Sequence, residues 1–264
     1  AREGDLRYNP AAGTAVLTSG SVQSIAAAMA RTPELKLPDE DSALALLNDT
    51  SLIKDIDPNA DNLEGYLYPA TYEFPRDTTA SDLVAQMVKR FREEWTPSRE
   101  SEARERGLTL RQIVTAASLI ETEAKLPEER PIIAAVIYNR LKIGMPLGVD
   151  SSVIYATKLA GKWRNDGKVY QSYLDRRSPY NTRLFAGLPP GPIASPGESS
   201  LSAALNPQPV DYLYYVRNPD RDDGAHNFYS NGAEFETGVQ ALRKWERERD
   251  AEEARKRREN GTQK

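Results

Sequence analysis

The segment Gly187-Leu-Pro-Pro-Gly-Pro-Ile-Ala-Ser-Pro-Gly197 packs four prolines and three glycines into eleven residues. No helix or paired strand survives that density, because every proline lacks an N–H and fixes its φ. The stretch is a loop, and a stiff one with a defined path. It divides a helix-rich front of the chain from a short mixed tail, and both must pack around it.

Prolines punctuate the front as well. Residues 21–30 and 41–47 read as short helices separated by Pro33 and Pro38. Residues 62–75 alternate aromatic and β-branched side chains between prolines, which predicts strand and turn. A helix is expected over 81–95, with Val84, Met87, Val88, Phe91 and Trp95 on one face. Another covers 132–141, which Gly144 ends and Pro146 keeps from resuming. Asp150 stands where an N-cap would for a helix over 151–159. Beyond the loop the pattern predicts a helix over 200–205, strands over 211–216 and 226–230, and a closing helix over 233–245. From Glu246 the chain is charged and nearly free of apolar residues, which predicts fraying or disorder. The expected class is α+β, with mixed helices and short strands.

Of the 264 residues 39% are hydrophobic, enough for a real core. Lys and Arg number 35 against 39 Asp and Glu, so no positive excess exists to neutralise a phosphate backbone, and nucleic acid is not the expected partner. The chain has no cysteine and a single histidine, His226. Disulfides, thiolate zinc sites and cysteine nucleophiles are excluded, and a histidine triad or multi-histidine metal site has almost no material. Acid–base chemistry falls on carboxylates. The longest apolar run, residues 132–138, is too short to span a bilayer.

One carboxylate stands out. Thr109-Leu-Arg-Gln112 is a capping-box signature that marks a helix start. At 100° per residue, Leu110, Ile113, Val114, Ala117, Ile120 and Ala124 share one apolar sector, with Glu121 at its edge and Glu123 turned to the flank. A carboxyl held against apolar neighbours is hard to ionise and serves as a general acid near neutrality. The alternative is a core-edge glutamate paired with Arg130 or Arg140. Glu64 lies in the aromatic stretch and reads as a substrate contact or a turn residue. Asn139 and Arg140 interrupt an apolar helix, as cleft residues or buried anchors. His226 stands beside a turn, and its role is open. The many tyrosines, Tyr180 among them, suit sugar stacking or packing.

Several blocks also resemble a known family. Leu63-Glu-Gly-Tyr-Leu-Tyr-Pro-Ala-Thr-Tyr72, Ala117-Ser-Leu-Ile-Glu-Thr-Glu-Ala124, Val136-Ile-Tyr-Asn-Arg-Leu141 and Ile143-Gly-Met-Pro-Leu-Gly-Val-Asp150 resemble the endolytic murein transglycosylase (YceG-like) family. So do Ser178-Pro-Tyr-Asn-Thr182, Gly187-Leu-Pro-Pro-Gly-Pro-Ile-Ala194, Ala203-Ala-Leu-Asn-Pro207 and Asp211-Tyr-Leu-Tyr-Tyr215, all in the family's order. The resemblance implies a small leading subdomain over residues 1–62, the end of a LysM-like region with its connector. A YceG-like catalytic domain would follow over 63–245, then a charged tail over 246–264. It implies an enzyme of the bacterial cell envelope, anchored in the cytoplasmic membrane by a segment outside this sequence, with its catalytic domain outside the cytoplasm. Its substrate would be peptidoglycan glycan strands, with peptidoglycan synthases as further partners and no cofactor or metal.

The family's catalytic glutamate falls on Glu121. Protonated, it would donate to the glycosidic oxygen between N-acetylmuramic acid and N-acetylglucosamine. Ionised, it would take the proton of the muramyl C6 hydroxyl, which closes a 1,6-anhydro ring. Glu64, Asn139, Arg140, Asp150, Tyr180, Asn181 and His226 fall in or beside family blocks and are the expected substrate-binding residues. Two rivals are a hydrolase using Asp150 as second carboxylate and a non-catalytic glycan-binding or synthase-docking module.

Overall fold

The computed structural model describes residues 4, 6–9 and 11–261. The chain opens with a hairpin, β1 (Leu6–Asn9) and β2 (Thr14–Leu17), and β3 (Thr71–Glu73) adds antiparallel to β2. Of residues 62–75, expected to form strand and turn, only Thr71–Glu73 lie in a strand. The hairpin itself escapes a local reading, because four-residue strands are too short to show an alternation.

Between β2 and β3 lie α1 (Val22–Ala30) and α2 (Glu40–Leu47), packed against each other. Ser21 starts α1 through a reciprocal capping box with Ser24, and the Asp39 carboxylate caps α2. The turn at Gly65 needs glycine: φ is +86°, and a Cβ would sit 2.6 Å from Pro192 Cγ. The proline loop therefore lies directly on the Leu63–Tyr66 turn.

Next come α3 (Ala80–Glu94), begun by a Thr79–Asp82 capping box, and α4 (Pro97–Glu105), an unexpected polar helix. The centre of the molecule is α5 (Leu110–Glu123), begun by Thr109 and Gln112 as the capping box predicts, with Ile113 to Ile120 all buried. Around it pack α6 (Arg130–Lys142), α7 (Asp150–Leu159) and, after the short α8 (Gln171–Leu174) and the proline loop, α9 (Glu198–Leu205). A separate hairpin of β4 (Tyr214–Arg217) and β5 (His226–Tyr229) rests on α6 and on α10 (Gly232–Gly261).

Asp150 is not an N-cap. It is the first helical residue of α7, Val149 holds the cap position, and the Asp150 carboxylate turns outward to Arg183 Nε at 2.7 Å. The charged segment from Glu246, expected to fray, continues α10 as helix to Gly261, with i,i+4 pairs such as Lys256–Glu252 at 2.6 Å along its exposed side.

The protein is α+β. One hydrophobic cluster joins Leu6, Ile25 and Leu47 to Leu63, Ile113 and Leu201, so residues from both sides of position 62 share a core. Among the described residues, no helix is long and apolar enough to cross a membrane.

Candidate active site

Glu121 occupies the last turn of α5 and opens onto a cleft of about 350 Å³, whose walls include Ser19, Thr122, Ser151, Tyr155 and Lys158. The side chain is 17% exposed. Its immediate surroundings are not the apolar face that periodicity predicts. Ser200 Oγ donates to Oε2 at 2.6 Å and the Gly197 N–H donates to the same oxygen at 3.2 Å. Oε1 accepts no hydrogen bond among the described residues and lies 3.9 Å from Arg130 Nη2. Arg130 in turn donates from Nε to Ser200 Oγ at 3.0 Å. The wheel locates the glutamate on α5 but cannot foresee α9, whose first turn supplies those donors across 76 and 79 residues.

The proline loop brings the donors into place. Arg111 Nε donates to the Pro190 carbonyl at 2.9 Å, and the Ile193 N–H donates to Ser118 Oγ at 3.1 Å. The Ser195 N–H donates to the Gly20 carbonyl at 3.0 Å, and Ser19 Oγ donates to the Ser195 carbonyl at 2.6 Å. The loop is stitched on one side to α5 and on the other to the start of α1.

Glu123 is turned away from Glu121, as expected, but into a site of its own. Its Oε1 accepts from Ser151 Oγ at 2.9 Å and its Oε2 from the Tyr215 hydroxyl at 2.8 Å, while Thr122 Oγ1 donates to Ser151 Oγ at 2.8 Å. Burial pushes the Glu123 carboxyl upward, and the two hydroxyls act against that shift.

Among the described residues, Glu121 is the one sequence-predicted site residue in the cleft wall; the others lie outside that wall. Glu64 is 3% exposed and accepts from the Val22 N–H at 3.0 Å and from the Tyr155 hydroxyl at 3.0 Å, so it backs a cleft tyrosine. Tyr180 packs its ring on Tyr155 at 5.0 Å. Asn139 donates to the Val210 and Tyr212 carbonyls at 2.9 Å, and Arg140 donates to the Leu213 carbonyl at 2.6 Å and the Leu147 carbonyl at 2.5 Å. Together they fix the entry into β4. Burial holds the Arg140 guanidinium below its ordinary value. Asn181 is fully buried and donates to the Leu174 and Arg176 carbonyls, each at 2.8 Å. His226 Nδ1 pairs with Glu129 Oε2 at 2.7 Å, and its ring stands edge-on to Tyr215 at 5.3 Å.

Sequence reasoning counted Tyr155 only among the many tyrosines and missed Thr122, Ser151, Lys158, Gly197 and Ser200. A usable signal existed for the last two, since a glycine followed by Glu-Ser-Ser after a proline run is a helix start, and helix starts present N–H groups to carboxylates.

The endolytic murein transglycosylase of Bacillus subtilis (strain 168) is 44% identical over 155 residues, which cover 58% of this chain and 41% of that protein. The protein of the same name from Streptococcus pneumoniae (strain D39) is 34% identical over 179 residues, 67% of this chain and 32% of its own. This chain thus spans less than half the length of either relative. The crystal structure of a YceG-like protein from Listeria monocytogenes superposes with a TM-score of 0.74 at 33% identity, covering 85% of this chain and 75% of that one. The model of the YceG-like family matches residues 11–241, nearly the whole chain, and the protein belongs to that family.

Proposed function

We propose that this protein is an endolytic peptidoglycan lytic transglycosylase, in which Glu121 is both general acid and general base. The carrying observation is the asymmetry of that carboxyl. Oε2 is fixed by the Ser200 hydroxyl and the Gly197 N–H, which leaves Oε1 as the oxygen for proton exchange at the cleft. A donor and acceptor held in one orientation meets the first demand of acid–base catalysis, which is geometric.

The proposed reaction balances on one residue. The Oε1 proton passes to the glycosidic oxygen as the bond from C1 of N-acetylmuramic acid to that oxygen breaks. The C6 hydroxyl of the same sugar attacks C1, and its proton returns to Oε1 as the 1,6-anhydro ring closes. No water enters, so the paired carboxylates of ordinary glycosidases are not required. The guanidinium of Arg130 stabilises the carboxylate formed between the two transfers. The protein is proposed to work at the bacterial cell envelope, anchored in the cytoplasmic membrane and alongside peptidoglycan synthases, as its family resemblance implies.

The hydrolytic reading has less support. Asp150, the second carboxylate it would need, is absent from the cleft wall and paired with Arg183. Mass spectrometry of uncrosslinked glycan strands separates the readings. Internal fragments ending in 1,6-anhydromuramic acid, made by the native protein and not by Glu121→Gln, are expected. Reducing-end fragments establish a hydrolase instead, and strands that bind both proteins but stay intact favour a binding module.

A further inference from the structure

A larger depression continues the cleft. It encloses about 650 Å³ against about 350 Å³ for the space beside Glu121, and Ile154 and Lys158 of α7 stand in the walls of both. Its far wall combines Gln23 of α1 with Trp163 and Asn165 of the 161–167 loop. That loop holds a defined shape through three left-handed residues, Gly161, Asn165 and Gly167, at φ of 62°, 55° and 73°. Asn165 takes this conformation more readily than most side chains do. The Trp163 ring lies 5.7 Å from that of Tyr173, which is buried and meets Tyr170 edge-on at 5.3 Å. The indole, itself half-buried, thus rests on an aromatic base.

We propose that this groove is a saccharide subsite which holds the glycan strand beyond the bond cut at Glu121, with Trp163 as its stacking platform. The inference deepens the proposed glycan-cutting reading and rests on it. A pyranose presents a face of C–H bonds rimmed by hydroxyls, which matches an indole surrounded by polar groups. Gln23 and Asn165 offer amides of the kind that pair with the N-acetyl groups of amino sugars. The shared residues Ile154 and Lys158 place the groove directly beside the catalytic cleft, so a strand leaving Glu121 on that side meets it next. Contact several sugars away from the reacting bond is what favours cutting inside a strand over trimming its end.

The test uses Glu121→Gln protein, which is expected to retain the cleft without turnover. Calorimetric titration with uncrosslinked strands of increasing length is expected to show affinity rising with length and then levelling off. In the same background, Trp163→Ala is expected to weaken long strands about tenfold, leave the shortest binders unchanged and flatten the length dependence. Trp163→Tyr, which keeps a stacking ring, restores most of the loss. Equal effects on short and long strands, or none on either, overturn the subsite. Cleavage by the native protein is scored separately. If native protein cuts strands while Trp163→Ala changes no affinity, the subsite falls and the proposed function stands. If strands bind with the expected length dependence and none is cut, the subsite stands and the catalytic reading falls.

Discussion

Glu64 and Glu121 are held by nearly the same chemistry at two junctions of the molecule. Each carboxylate meets a backbone N–H at the start of a helix, Val22 for α1 and Gly197 for α9, and each also accepts from a hydroxyl, Tyr155 or Ser200. What separates them is access. Glu64 is enclosed, with both oxygens engaged, whereas Glu121, among the described residues, receives its hydrogen bonds at one oxygen only and its side chain lines a cleft. An acid with both oxygens engaged in the interior is a rivet, and the same group at the wall of a cleft has chemistry to offer. Tyr155 joins the two junctions, since it donates to Glu64 and forms the cleft wall facing Glu121's side of α5.

The sharpest way to break this comparison is to neutralise both acids. Glu121→Gln is expected to lower strand cleavage by about three orders of magnitude while the unfolding midpoint barely moves. A stability loss like that of a core truncation would make Glu121 a second rivet. Glu64→Ala is expected to do the reverse. It strands the Val22 N–H and the Tyr155 hydroxyl in the interior and costs about 3 kcal/mol in urea unfolding. An unchanged midpoint would remove the contrast from the other side.

Glu123 sharpens the contrast through pH. Its carboxyl is raised above the ordinary value of 4.5 by burial, so the native state keeps a proton that the unfolded chain has released. Its contribution to stability therefore falls as pH climbs from about 4.5 through the raised value. Urea midpoints across that window are expected to show Glu123→Gln gaining on the native protein as pH rises. Parallel curves would mean the site is solvated. The smallest effect belongs to Asp150→Asn, which breaks a half-exposed pair with Arg183 and is expected to shift stability by no more than about 0.5 kcal/mol.

Much of the helical frame was legible from local pattern. The Thr109–Gln112 box, the apolar stripe of α3 and the end of α6 at Gly144 all depend on residues a few positions apart, where spacing is informative. Glu121's place at the end of α5 came from the same reasoning. Arg130, one of the two arginines named as its alternative partner, does lie beside it, whereas Ser200 reaches it through packing of α9 on α5 that no periodicity encodes. Asp150 shows the converse error. Its position beside a helix start suggested a cap, yet Arg183, distant in sequence and near in space, draws the carboxylate outward. The pairing of β3 with a hairpin more than fifty residues earlier was invisible for the same reason.

The stitched proline loop also dictates when the catalytic geometry can appear during folding. Helix α5 and its glutamate need only local contacts, but the Ser195–Gly20 and Ser19–Ser195 bonds join residues about 175 positions apart. Closing so long a span is entropically late and waits for the rest of the core. Gly197, two residues beyond Ser195, donates to Glu121 from the end of the same loop. A chain still emerging, or one that has lost the contact between its first helix and its last third, carries the acid without its socket. Competence at the cleft is thereby tied to completion of the fold.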